Sequence, residues 1–165
     1  MKFCALLLTL LSFSFLSAVA YAGPTGTETG LPMPRFVSLS SNKVNVRTGP
    51  GTRYPITWVF VRRGWPVEVI AEYELWRRIR DVDGSTGWVH KGLLSSRRTL
   101  IITEESRAVY EDPDESSVVV LLAEPGVLGK LQECDGRWCA LEIAGLTGWL
   151  PANQFYGVLE NEKIR

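Results

Sequence analysis

Two cysteines and the single histidine are the residues beyond position 22 that are best suited to chemistry. Cys134 and Cys139 stand on either side of a short turn-forming stretch, and His90 lies far away along the chain. A zinc site needs four ligands, whereas two thiols and one imidazole supply three at most. No metal or other cofactor is therefore expected.

The spacing of the two cysteines favours a structural disulfide. If Gly136 and Arg137 form a two-residue hairpin turn with glycine first, Asp135 faces Trp138 as a hydrogen-bonded pair. The cysteines then form the next, non-hydrogen-bonded pair, in which Cα atoms are ~4.5 Å apart and within reach of a disulfide. A redox pair is the competing interpretation.

The remaining candidates for catalysis are better explained as structural groups. His90 falls in a predicted strand and is expected to be a surface or hydrogen-bonded side chain rather than a base. Two acidic pairs lie in predicted turns, where solvated carboxylates are common: Asp81 with Asp83, and Asp112 with Asp114. We therefore expect no enzyme activity.

The same series of landmarks occurs twice along the chain. Glycine, tryptophan and Gly-Trp recur in the same order at spacings of 62, 62 and 61 residues: Gly64 and Gly126, Trp76 and Trp138, Trp88 and Trp149. A period this long indicates two consecutive domains rather than turns of a solenoid. By subtraction, Cys134 and Cys139 correspond to Glu72 and Arg77, which predicts an ion pair in place of the disulfide.

Each copy has the period-two pattern of short strands separated by Gly, Pro and Asp clusters. The first copy predicts strands over 44–47, 56–61, 66–71, 76–81 and 87–90, and the second over 108–110, 118–123, 127–134, 138–143 and 147–150. Strands this short bury their apolar faces by curling. The predicted fold class is all-β, with two tandem small five-stranded barrels.

The first 22 residues have the features of a secretory signal peptide. A lysine is followed by an apolar stretch and by Ala20-Tyr21-Ala22, so cleavage between Ala22 and Gly23 is expected. The mature protein is placed in the periplasm, with no transmembrane segment. The predicted divisions are a signal peptide (1–22), a flexible leader (23–39), a first domain (40–102), a second domain (103–159) and a tail (160–165) that is expected to fray.

At this point the sequence resembles a known family. Residues 44–52, Val-Asn-Val-Arg-Thr-Gly-Pro-Gly-Thr, and the closing Gly87-Trp88-Val89 resemble the bacterial SH3-like (SH3b) domain. The second copy lacks this opening motif but keeps the later half, and it resembles SH3-like domains of exported proteobacterial proteins that have a cysteine on either side of a Gly-x-Trp turn. The resemblance implies small five-stranded barrels that bind cell wall or protein and have no chemistry of their own.

The second copy also resembles the eukaryotic domains that bind proline-rich peptides. Four of its residues match the groove of those domains: Tyr110, Trp138, Pro151 and Asn153. Asp112 and Gln154 replace two of the groove's tyrosines. Proline-peptide binding is therefore kept as an alternative function.

Charge divides the chain into two unlike halves. Residues 35–100 hold 12 Lys and Arg against 5 Asp and Glu, and residues 101–165 hold 5 against 12. The basic half predicts binding to an anionic surface such as peptidoglycan, or to an envelope protein. The alternative is a structural protein whose oppositely charged modules self-associate. Nucleic acid is not expected as a partner in this compartment.

The predicted ligand-binding residues combine cations with rings on loops and hairpins, because an amphipathic ring can anchor a sugar or a peptide. They are Arg47, Tyr54, Arg62, Arg63 and Trp76 in the first copy, and Tyr110, Trp138 and Pro151 in the second.

Overall fold

The computed structural model describes residues 23–165, so the predicted signal peptide lies outside the described residues. Seven strands make up the first module: β1 (Arg35–Leu39), β2 (Val44–Arg47), β3 (Ile56–Phe60), β4 (Pro66–Tyr73), β5 (Trp76–Arg80), β6 (Thr86–His90) and β7 (Leu94–Ser95). They form one antiparallel sheet in the order β3-β2-β6-β5-β4-β1-β7. A short 3-10 turn, Lys91–Leu93, joins β6 to β7.

Six strands make up the second module: β8 (Thr99–Ile101), β9 (Arg107–Tyr110), β10 (Val119–Ala123), β11 (Leu128–Cys134), β12 (Trp138–Ile143) and β13 (Leu146–Pro151). Their order is β10-β9-β13-β12-β11-β8, and a 3-10 turn over Ala152–Gln154 follows the last strand. The order repeats that of β3-β2-β6-β5-β4-β1. The two modules therefore share one topology, and the prediction of two tandem all-β modules is confirmed.

Every predicted strand is present, but the predicted count of five per module was too low, because the first module adds two strands and the second adds one. β1 pairs with β4, and β8 pairs with β11 at the equivalent place. β7 pairs with β1 at the edge of the first sheet. Since β1 falls within the predicted leader, the expectation of a flexible segment over all of residues 23–39 was wrong for residues 35–39.

The two copies bend their sheets at matching positions. The β4–β5 register shifts between Val69 and Ala71, and the β11–β12 register shifts between Leu131 and Glu133. Such bulges bend a strand and increase its twist, which helps a short sheet to curl around its core.

The recurring Gly-Trp pair has a steric reason in both copies. A Cβ atom on Gly87 would collide with the side chain of Val46, and one on Gly148 would collide with that of Val109. Glycine allows the closing strand to approach the opening strand closely. The motif therefore marks a packing requirement of the fold.

Each module has its own hydrophobic core. In the first, the buried residues come from alternate positions of the strands: Leu39, Val44, Val46, Val67, Val69, Ile79 and Val89. In the second they are Leu100, Ile102, Val109, Ala123, Leu131, Cys134, Cys139, Leu141, Ile143, Leu150 and Phe155. Two separate clusters are what two tandem domains require.

Both ends of the described chain are held against the modules. The leader folds back on itself through a bridge between Thr25 and Pro32, and the tail pairs with β11 through Ile164 and Cys134. Arg98 also binds Glu162 with a closest N–O distance of 2.6 Å. The fraying expected for residues 160–165 is therefore not what the structure shows.

Candidate functional site

Three of the predicted binding residues meet on one face of the second module. The rings of Tyr110 and Trp138 lie edge to face, with centroids 6.0 Å apart. Pro151 lies opposite Trp138 in the β12–β13 register. We call Tyr110, Trp138 and Pro151 the aromatic rim.

A cavity of about 560 Å³ opens beside this rim. Trp138 and Pro151 line it together with Arg137, Asn153 and residues 158–161, where the second module continues into the tail. Pockets of several hundred Å³ with rings and a few polar groups are typical of ligand sites. The tail is thus one wall of the candidate site in the second module.

The first module builds the equivalent face from different residues. Trp76 and His90 face each other in the β5–β6 register, as Trp138 and Pro151 do in the second module. The rings of Trp76 and His90 lie edge to face, with centroids 5.5 Å apart. In the strand register Arg47 lies opposite Trp88, and at the equivalent position of the second module Tyr110 lies opposite Trp149. The first module therefore replaces one ring of the rim with a cation.

Arg47 and Tyr54 organise the loop between β2 and β3. The Arg47 guanidinium donates to the carbonyl oxygens of Thr52 and Tyr54 at 3.0 and 2.7 Å. The Tyr54 ring packs over Gly49, with the Arg53 guanidinium 5.1 Å from its centroid. These contacts assign Arg47 a role in holding the loop, and ligand contact by Arg47 or Tyr54 stays a prediction.

The histidine and the turn aspartates that were candidates for catalysis accept hydrogen bonds from nearby backbone amides. His90 accepts a hydrogen bond at Nδ1 from the Gly92 amide at 3.1 Å. Asp83 and Asp114 accept from the amides of Ser85 and Ser116, and these bonds lower the pKa values of the two carboxyls. Within residues 23–165, no three His, Cys, Asp or Glu side chains are grouped to hold a metal.

Cys134 and Cys139 form the predicted disulfide, with Cα atoms 4.1 Å apart. Asp135 donates its amide hydrogen to the Trp138 carbonyl at 3.0 Å, which closes the hairpin as expected. The Asp135 carboxylate accepts from the amides of Trp138 and Arg137, and these bonds lower its pKa. The hairpin end is thus held by a covalent bond and a capped turn.

The ion pair predicted at the same place in the first module is also confirmed. Arg77 Nε lies 3.4 Å from Glu72 Oε1, and the Glu72 carboxylate is fully buried. It also accepts hydrogen bonds from Arg35 at 2.7 Å and from the Thr29 hydroxyl at 2.8 Å. The amides of Glu28 and Thr29 donate to its other oxygen.

The surroundings of Glu72 strongly favour its charged form. Burial alone would raise the pKa of this carboxyl. The hydrogen bonds from Thr29, Arg35 and the Glu28 amide, together with the charge of Arg77, outweigh burial and lower the pKa to about 2. Glu72 is therefore ionised at neutral pH and anchors the leader to the first module.

The two modules contact each other through rings and backbone carbonyls. Phe36 and Tyr156 lie edge to face with centroids 4.9 Å apart, and the Tyr156 hydroxyl donates to the Arg80 carbonyl at 3.1 Å. Arg62 donates to the Gly126 carbonyl at 2.7 Å. Among residues 23–165 no ion pair joins the first module to the second. Arg62 therefore joins the modules instead of facing solvent alone.

A larger cavity, of about 950 Å³, lies at this contact, and sequence reasoning missed it. We call it the junction cleft. Its lining comprises residues 38–40, 63–64 and 95 of the first module, residues 97–98 of the link, and residues 99, 128–131, 142 and 144–145 of the second. Arg63 is the one predicted binding residue that lines it. The cleft is formed by the relative orientation of the two modules, and no local sequence motif predicts this orientation.

The chain belongs to the bacterial SH3 domain family, because the family's model, described as "Bacterial SH3 domain", matches residues 40–96 and again residues 104–155. The chain is also similar to "Putative N-acetylmuramoyl-L-alanine amidase YrvJ" of Bacillus subtilis (strain 168). The two are 25% identical over 125 residues, which are 69% of this chain and 24% of that protein. The chain thus spans about a quarter of this relative.

Two solved structures are similar to parts of the chain. NlpC2 from Trichomonas vaginalis has 13% identity and a TM-score of 0.35, with 74% of this chain and 48% of that one covered. An NlpC/P60 family protein from Bacillus cereus ATCC 10987 has 12% identity and a TM-score of 0.34, with 79% and 58% covered. A likeness at this level says nothing about the function of this chain.

The described residues contain no helix with the length and apolar character needed to cross a bilayer.

Proposed function

We propose that this is an exported, non-catalytic protein that binds the bacterial cell wall through its two SH3-like modules. The observation that carries the proposal is the family match to both modules, since such domains are binding units. The Bacillus relative is named as a putative N-acetylmuramoyl-L-alanine amidase, and this name points to the same polymer. On this proposal the signal peptide directs the protein to the periplasm.

The side chains that could support catalysis favour a binding role as well. His90 accepts a hydrogen bond from the Gly92 amide, and Cys134 and Cys139 are joined in the disulfide. None of these three groups is poised as a base or nucleophile beside another. We therefore propose that the protein positions itself, or a partner, on the wall without cutting it.

The surfaces of the modules suit a wall polymer that carries sugars and carboxylates. The basic half of the chain attracts anions, and the half-buried rings of Trp76 and Trp138 can stack on a sugar or peptide. An envelope protein with an acidic surface offers the same attraction, so the experiment has to compare the two partners.

A pull-down with residues 23–165 as bait tests the proposal. Purified peptidoglycan sacculi and a detergent extract of envelope proteins are offered separately, and we expect retention on sacculi. Trp76→Ala and Trp138→Ala should each weaken retention, whereas Leu31→Ala, at an exposed position outside both modules, serves as the control. Capture of one envelope protein with no binding to sacculi would replace the wall with that partner, and release of soluble wall fragments would refute the non-catalytic role.

Self-association is a second candidate, because the outer strand of each sheet is unpaired along one edge. β3 exposes Ile56 and Val59, and β10 exposes Val119 and Leu122. The first edge belongs to the basic half and the second to the acidic half. Pairing of β3 of one molecule with β10 of the next is a head-to-tail contact, which adds further copies until the rotation between them closes a ring.

Sedimentation velocity of the protein at increasing concentration tests this candidate. Chains held by opposite charge should grow with concentration and dissociate as salt is raised. A monomer at all concentrations and at low salt would remove self-association from consideration.

A further inference from the structure

The junction cleft carries more positive than negative charge. Four cations line it, namely Arg63, Arg97, Arg98 and Lys130, and Glu142 is the single acidic residue of the lining. This excess of positive charge remains after the ion pairs of these side chains are counted.

Two of the four cations are already engaged. Arg98 makes a two-pronged contact with Glu162 at 2.6 and 2.9 Å, and Lys130 lies 2.8 Å from Glu142. Arg63 and Arg97 are exposed, and neither lies within 4.0 Å of a carboxylate in residues 23–165. The two modules thus bring two uncompensated guanidinium groups to one cleft, one from the first module and one from the link.

The remaining lining provides polar and apolar contacts side by side. The Thr99 hydroxyl is buried and has no hydrogen-bond partner among the described residues. Ser40 and Ser95 contribute half-buried hydroxyls, and the half-buried Leu128 contributes apolar surface. Guanidinium groups bind carboxylates in a forked geometry, and a mixed wall accommodates the backbone and short side chains of a peptide.

We propose that the junction cleft binds a short peptide through its carboxylates, with Arg63 and Arg97 as the cations that receive them. The source of the peptide rests on the proposed function. Because the protein is proposed to bind the cell wall, the peptide is a cell-wall peptide. A peptide fits better than a lipid surface, because the cations line a concave cleft between two modules and a bilayer needs an outward-facing patch. Neither module alone contains the site.

The test is a titration of the ¹⁵N-labelled protein, residues 23–165, with the soluble peptides that an amidase releases from sacculi. Gly64, Gly129 and Gly145 line the cleft. Their amide signals should shift as peptide is added, and the three titration curves should give one dissociation constant. The same peptides with their carboxylates converted to amides serve as the matched ligand control and should leave these signals in place.

The protein variant is Arg63→Ala with Arg97→Ala, and its control is Arg53→Ala with Arg78→Ala, two exposed cations outside the cleft. The first pair should lower the affinity about fivefold, as expected for two exposed ion pairs, and the control pair should leave it unchanged.

Three results would overturn the proposal. One is equal affinity of the cleft variant and the native chain, another is equal binding of the amidated peptides, and the third is the same shifts on addition of vesicles with anionic lipid, which would assign the cleft to a membrane. If sacculi retain the protein but the peptides cause no shifts, the junction cleft is not the binding site and the proposed wall binding stands. If the peptides cause the shifts but sacculi do not retain the protein, wall binding is rejected and carboxylate recognition by the cleft stands.

Discussion

The ends of the two long hairpins, β4–β5 and β11–β12, solve one structural problem in two ways. In the first module the facing residues are Glu72 and Arg77, and in the second they are Cys134 and Cys139. One pair is held by charge and hydrogen bonds, and the other by a covalent bond. The same backbone register therefore supports two unrelated cross-links.

The two hairpin ends are also covered by different parts of the chain. The leader crosses Glu72, with the amides of Glu28 and Thr29 donating to the carboxylate at 3.0 Å. The tail crosses Cys134, exchanging two backbone hydrogen bonds of 3.0 Å with Ile164. Each terminus thus stabilises the module to which it is closest in sequence.

The difference teaches what each module depends on. The first depends on ionisation of a buried carboxyl group and on the presence of the leader. The second depends on oxidation of two thiols, which fits an oxidising compartment. Conditions that weaken one module should therefore spare the other, and the predictions below exploit this.

The largest effect should come from Glu72→Ala, which leaves the buried Arg77 guanidinium without its carboxylate and releases the leader. Breaking one partner of a buried ion pair costs about 3 kcal/mol, so the free energy of unfolding should fall by about that amount. Urea denaturation of Glu72→Ala and of the exposed control Glu133→Ala measures it. A loss no greater than that of the control would show that the polar network does not stabilise the module.

Removal of the disulfide should have the next largest effect. Cys134→Ser with Cys139→Ser opens a loop of only a few residues, so unfolding free energy should fall by about 2 kcal/mol. Reduction of the native protein should reproduce the loss, because it breaks the same bond. Two free thiols in the unfolded protein, prepared without reductant, would contradict the structure.

Acid should affect the two hairpin ends differently. The pKa of Glu72 is lowered from 4.5 to about 2, so its stabilising contribution is complete above pH 4.5 and is lost as pH falls through about 2. The stability gap between native protein and Glu72→Gln should therefore shrink between pH 6 and pH 2.5. The gap produced by the cysteine substitutions should stay nearly constant, and equal shrinkage of both gaps would remove the distinction between them.

The smallest effect concerns the turn of each hairpin. Glu74 has φ of +47°, at the place where the second module has Gly136 with φ of +105°. A side chain in this region is strained, so Glu74→Gly should raise the free energy of unfolding by about 0.5–1 kcal/mol. Gly136→Ala, by the same reasoning, should lower it. Thermal unfolding of both variants checks the pair, and a loss of stability in Glu74→Gly would show that the turn is relaxed with glutamate.

The fold was largely predictable because its information is local and repeated. The period-two pattern predicts the central strands, and a constant spacing of 62 residues predicts that Glu72 and Arg77 correspond to Cys134 and Cys139, as the structure shows. The Gly-Trp landmarks recur because each glycine allows close packing of two strands. Such requirements appear in any sequence that adopts the fold.

Contacts that join distant or poorly patterned segments were missed. The leader is rich in Gly, Pro and Thr, and nothing local indicates that Thr29 reaches Glu72, 43 positions away. β1 and β8 precede the landmarks of the repeat, and β8 has only three residues. The junction cleft requires the orientation of the two modules, which rests on contacts such as that of Phe36 with Tyr156.

Binding of residues 23–165 to purified sacculi at increasing salt is the measurement that tests the proposed function most directly. The account predicts co-sedimentation with sacculi at 0.1 M salt, with weaker binding towards 1 M as the Debye length falls from ~10 to ~3 Å. The sacculi should remain intact throughout. Absence of the protein from the sacculus pellet at 0.1 M salt would contradict the account.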